Sequence, residues 1–130
     1  MNAYSNVATG IGRVLLSVLF ILAGLSKATG AAGTIAYIES KGIPLPQVAY
    51  ALTVALELGG GILLLVGFQA RLVALAFAGF SIVSALIFHT DFADQTQMIM
   101  FMKNLSIAGG MLFVFANGAG GFSIDGRRGA

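Results

Sequence analysis

Five side chains in this sequence have the chemistry to bind or to move a proton, and all five sit in or beside apolar runs. They are Lys27, Glu57, His89, Lys103 and Asn104. An ammonium or a carboxylate inside hydrocarbon costs about 2.5 to 3.5 kcal/mol on insertion scales, so each must reach water, find a partner or face a cavity. Lys103 can snorkel to a nearby interface along its four-carbon stem. Glu57 is too short and too central for that. The economical arrangement pairs Glu57 with Lys103 and leaves Asn104 or His89 to take the remaining hydrogen bonds; Glu57 is then the candidate proton carrier. Even so, an ion pair of this kind can serve only to fix helix register.

The elements that must position these groups follow from composition. The chain has 130 residues, 58% hydrophobic and 9% charged, which marks a single-domain membrane protein. Charges delimit the spans. Arg71 to Asp91 encloses nineteen uncharged residues, Lys41 to Arg71 encloses twenty-nine broken only by Glu57, and Asp94 to Asp125 encloses thirty broken only by Lys103. A fourth apolar stretch runs through RVLLSVLFILAGLSK. Its basic start and small-residue end also fit a cleavable signal, but Lys27 just before TGAAG argues for a span. The expectation is an all-α protein, a single domain over 1–130, with four transmembrane helices at about 10–29, 47–67, 70–89 and 97–116 in an antiparallel bundle.

The connections add detail. TIAYIESK forms a short amphipathic interfacial helix with Ile35 and Ile38 toward the apolar side and Lys41 toward water. Gly42, Pro44 and Pro46 end it and launch the second span. The tail 117–130 is Gly-rich and expected to be loosely ordered. Arg13, Arg71, Arg127 and Arg128 fall on the side of the termini against Lys27 and Lys41 opposite, so both termini are expected in the cytoplasm.

Helical spacing groups small and polar residues into one stripe per span: Arg13, Ser17, Gly24 and Lys27; Thr53, Glu57, Gly60 and Gly61; Ala78, Ser81, Ala85 and His89; Lys103, Ser106, Gly110 and Asn117. Small residues let helices approach closely in lipid, so these stripes are expected to face inward. On this reading Glu57 lies about 15 Å and Lys103 about 9 Å below the membrane surface opposite the termini.

The absence of cysteine excludes disulfides, thiolate metal sites and covalent haem attachment, and one histidine excludes a bis-histidine haem within one chain. A net charge of +2, spread without a basic cluster, gives no support to nucleic-acid binding. The methionines at 98, 100 and 102 read as packing residues. No metal site and no intrinsic cofactor are expected.

The stretches LFILAGLSK (19–27), GIPLP (42–46), LELGGGILLLVGFQAR (56–71), FH (88–89), MFMKNLSIAGG (100–110) and GAGGFSID (118–125) together resemble the DoxX family of small four-helix bacterial membrane proteins. The resemblance covers nearly the whole chain. It implies a multi-pass protein of the bacterial cytoplasmic (inner) membrane, within a grouping that includes subunits linked to quinone-coupled sulfur oxidation. It also places Lys27, Glu57, His89, Lys103 and Asn104 on the family's polar motif positions, and it firmly implies no catalytic reaction.

Three function classes follow. The first is a redox-associated component that binds a quinone or similar lipophilic molecule, with Lys103, Asn104 and His89 as donors, Glu57 as proton carrier and Phe80, Phe88 and Phe101 as walls; it needs a redox partner protein to supply electrons. The second is a non-enzymatic scaffold whose polar core only holds the bundle together. The third is a small transporter or proton pathway, for which four spans are narrow unless the chain forms a homo-oligomer through its remaining glycine faces.

Overall fold

The computed structural model describes residues 2–128. The described residues are mostly helical, and four of their helical stretches are long and apolar enough to cross a membrane: Ala3–Thr29, Pro46–Val66, Ala70–Phe88 and Gln95–Asn117. We number the helices α1 (Ala3–Thr29), α2 (Ala31–Ser40), α3 (Pro46–Ala55), α4 (Gly61–Val66), α5 (Ala70–Phe88), α6 (Gln95–Asn117) and α7 (Ile124–Arg127). A π-helical turn over Leu56–Gly60 joins α3 to α4, making them one interrupted span.

Local sequence explains the boundaries. Asn2 and Asp94 cap α1 and α6 by accepting from the backbone N–H of Ser5 at 2.8 Å and of Thr96 at 2.9 Å. Gly30 breaks the chain between α1 and α2, and Pro46 opens α3 at a position where its missing N–H is harmless. Gly67, at φ +72, ends α4 in the left-handed region that glycine favours. As the amphipathic pattern requires, Ile38 of α2 is buried while Lys41 stays exposed.

Short connections place α4 beside α5 and α5 beside α6, and α1 closes the ring against both the interrupted span and α6. The centre holds Phe20 stacked on Phe77, with ring centroids 4.0 Å apart, together with Leu64 and Met111. Outward-facing Leu, Val, Ile and Phe side chains cover the four long helices, as a bilayer demands. Glycine sets the helix spacing. A Cβ on Gly61 would sit 2.7 Å from Ile21 Cγ1, and one on Gly24 would sit 2.8 Å from Leu58 Cγ. At these two points α1 and the interrupted span touch almost backbone to backbone.

Over the described residues the tail is hydrogen-bonded to the helix ends. Arg13, 3% exposed, donates to the carbonyls of Leu64 and Leu65 at the end of α4 at 3.1 and 2.9 Å and to that of Phe122 in the tail at 2.8 Å, tying the two together. Asp125 accepts from the N–H groups of Gln69 and Ala70 at 2.9 and 2.8 Å, capping α5, while its own N–H donates to Gly67 O at 2.9 Å. Gly121 N–H donates to Asn6 Oδ1 at 2.8 Å, so the two ends of the chain meet at one end of the bundle. Glycine abundance suggested disorder, but here it lets the backbone fold tightly over the helix ends, with Gly118 and Gly120 at φ +82 and +86.

The inward stripes of α1, the interrupted span and α5 match the expectation: Arg13, Ser17, Gly24, Glu57, Gly60, Gly61, Ala78, Ser81 and Ala85 are buried. That of α6 is displaced by one residue. Ala108, Met111 and Val114 point in, with Asn104 on the same face, whereas Lys103, Ser106 and Asn117 are exposed. Met111 and Ala108 fill the central cluster, and a long lysine can leave that face where a short asparagine cannot.

If glycine spacing holds the bundle, Gly61→Val should lower stability by about 1 to 3 kcal/mol, the usual cost of overpacking. Gly59→Ala, which meets nothing within 4 Å, should leave the unfolding midpoint in detergent near that of wild type. Equal effects of the two substitutions would contradict this account.

Candidate functional site

The site begins with Gly24. Because it has no side chain, the π turn comes close enough for Glu57 Cβ to lie 3.1 Å from where a Cβ of residue 24 would be. Lys27 is three residues further along α1, hence one turn away on the same face, and its side chain reaches back toward the carboxylate. Nζ lies 2.9 Å from Glu57 Oε1 and 3.3 Å from Oε2. Only the contact to Oε2 is aligned as a hydrogen bond, so Oε1 is held by charge and has no hydrogen-bond donor among the described residues. The carboxylate is 4% exposed and the lysine side chain 33%. Tyr50 fixes the end of α1 by donating its hydroxyl to Lys27 O at 2.9 Å.

This corrects the expected partner of Glu57. Among the described residues Lys103 forms no ion pair, and it lies exposed on the outer face of α6. The reason is the one-residue displacement of the inward stripe, which brings Asn104 to the interior instead. The π turn was also not anticipated. Such turns widen a helix and recur at functional sites, and LELGG, with adjacent glycines after a buried acid, was the available signal.

Lys27, Glu57, His89 and Asn104 line one chamber of about 350 Å³, within the size range of small-molecule sites. Its apolar walls include Phe20, Phe80, Phe88 and Ile107. Phe101 was expected there, but it packs edge-on against Phe92 with centroids 5.1 Å apart. Thr34, Tyr37 and Ile38 bring α2 across the end of the chamber, and Tyr37 stacks on Phe88 with centroids 5.2 Å apart.

His89 Nδ1 lies 3.1 Å from Gln97 Oε1. The side chains of Thr53, Ser81, Ser84 and Asn104 also line the chamber, and among the described residues none of them has a hydrogen-bond partner. These side chains face the chamber, where water or a ligand can take their hydrogen bonds. The chamber therefore offers one ammonium, one carboxylate, an imidazole, an amide and the hydroxyls of Thr34, Tyr37, Thr53, Ser81 and Ser84 inside apolar walls. No group of three or more His, Cys, Asp or Glu able to hold a metal occurs among the described residues.

Comparison with known proteins gives a consistent result. The DoxX family model matches residues 8–90. The chain is 44% identical to inner membrane protein YqjF of Escherichia coli (strain K12), over 96% of this chain and 95% of that protein. It is 36% identical to inner membrane protein YphA of the same organism, over 90% of this chain and 87% of that protein. It is also 38% identical, over 60% of this chain and 57% of the relative, to a Bacillus subtilis (strain 168) protein named "Putative oxidoreductase CatD". No solved structure matches the chain. With its family model spanning three of the four membrane-crossing stretches and two relatives aligned over almost their full length, this four-helix membrane protein belongs to the DoxX family.

Proposed function

We propose that the chamber binds a quinone, or a similar lipophilic molecule carrying hydrogen-bond acceptors, and that the protein is a redox-associated component of the bacterial inner membrane. The observation that carries this reading is the cluster of unpartnered polar side chains around the Lys27–Glu57 pair inside aromatic and aliphatic walls. The residues fit such a group. A flat ring needs an apolar slot, supplied by Phe20, Phe80, Phe88 and Ile107, and donors for its carbonyl oxygens, supplied by Lys27, Asn104 and the hydroxyls.

When bound, a quinone supplies two-electron chemistry that takes up two protons on reduction. Glu57, on the chamber wall and beside Lys27, is placed to hold and pass a proton there. The ammonium orients the carboxylate and keeps it from lipid. Because the chain has no cysteine and a single histidine, electrons must come from a partner protein. The name of the Bacillus subtilis relative points to the same class of chemistry.

Arg13, Arg71, Arg127 and Arg128 at the end of the bundle that carries both termini favour placing that end in the cytoplasm, with the chamber toward the periplasm. The names of the two Escherichia coli relatives favour the inner membrane.

Two experiments test this. Decylubiquinone added to the purified protein should raise its melting temperature in a dose-dependent way, and Lys27→Met combined with Glu57→Gln should remove most of that rise while the protein still inserts. A wild-type melting temperature that does not respond to the quinone overturns the reading. For orientation, the natural absence of cysteine permits single-site labelling: a membrane-impermeant maleimide should reach Asp94→Cys but not Ser5→Cys in intact cells. The reverse pattern would invert the topology.

A further inference from the structure

The chamber adjoins a second space on one side. A second cavity of about 160 Å³ lies between α2, α3 and α5, and it shares Ile38, Thr53, Phe80, Ser84 and Phe88 with the chamber wall. Its remaining lining is hydrocarbon: Ile43, Ala49, Val83 and Ile87. Polarity therefore falls in order along one path, from the charged pair, through the hydroxyls of Thr53 and Ser84 at the shared wall, to aliphatic side chains. At the far rim Val83 is 54% and Ile87 39% exposed, on the face that a bilayer covers.

Helix packing explains the gap. α3 packs on α1 and α2, while α5 packs on α6 and α4, and α3 and α5 are not closely packed on each other. Meanwhile α2 crosses the end of the chamber, where Tyr37 stacks on Phe88. The seam between α3 and α5 is thus a loosely packed direction that leads sideways.

We propose that the seam between α3 and α5 seats the hydrocarbon tail of an amphiphile whose polar head occupies the Lys27–Glu57 chamber, so that the ligand is a tailed lipid that enters laterally from the bilayer. This deepens the function proposed above and rests on it. The occupant is specified by continuity: a head group satisfied by ammonium, amide and hydroxyls, joined to a chain that tolerates only apolar walls. A polar solute arriving from water would instead have to pass Tyr37 and Phe88.

The test uses a ubiquinone head carrying a decyl tail that ends in a photoreactive diazirine, with the protein in nanodiscs. A headless alkyl diazirine reports ordinary bilayer contact. Labelling by the headed probe should concentrate on residues 43–53 and 80–88, should be competed by ubiquinone with a minimal tail, and should fall at least about tenfold in Ala49→Phe. Val83→Trp obstructs the same seam from the opposite wall and should give the same loss; both variants should still respond to the minimal-tail quinone. Competable labelling that falls mainly on α1 or α6 would overturn the tail route while leaving the chamber's function standing. Undiminished labelling of the seam in both variants would also overturn it. A headed probe that labels no differently from the headless one would sink both.

Discussion

One contact governs the architecture: an ammonium and a carboxylate held 2.9 Å apart inside a bundle of apolar helices. The carboxylate, 4% exposed, is not tolerable there alone, whereas the lysine, 33% exposed, can reach toward the interface. Removing one partner of such a buried pair commonly costs about 3 to 5 kcal/mol, because the other is left uncompensated. The pair in turn demands close helix approach. Gly24 removes the side chain that would separate α1 from the π turn, and Gly61 does the same one turn below. Bundle geometry and site geometry thus have a common cause.

The two ends of the molecule then divide the work. At the end with both termini, Arg13 and Asp125 spend their charge on open backbone groups of α4 and α5, locking the tail over the helix ends. Those contacts use most of the charged groups at that end on the chain's own backbone, although Arg13 Nε stays buried without a hydrogen-bond partner among the described residues. At the opposite end the polar groups exceed what the fold uses: Thr53, Ser81, Ser84 and Asn104 have no protein partner among the described residues. That contrast separates a structural polar cluster from a binding one.

Much of this was legible in the sequence because the membrane imposes a simple grammar. Runs between charges gave three of the spans and a separate apolar stretch the fourth, and three-to-four spacing gave the inward faces of three of them. The interrupted span hid its π turn because the hydrogen-bond register of a helix leaves no trace in hydropathy. In α6 the rule that a charge faces inward failed for a physical reason. Lys103 has a stem long enough to leave the interior, Asn104 has not, and the adjacent Gly109 and Gly110 gave no steric hint about which face packs. The tail's hydrogen bonds were not legible because glycine content reports backbone freedom, and a free backbone also suits a tight cap once Arg13, Asn6 and Asp125 provide anchors. Lys27 was recognised as a site candidate, but its partner could be identified only once Gly24 was seen to bring the π turn within reach.

The most direct test is a pair of double-mutant cycles on unfolding stability, using Glu57→Gln with Lys27→Met and Glu57→Gln with Lys103→Met. Contacting residues couple by about 0.5 to 3 kcal/mol, whereas distant ones add. Strong coupling between 27 and 57 with simple additivity between 103 and 57 is the predicted result; additivity in the first cycle, or coupling in the second, would contradict the structure at its centre.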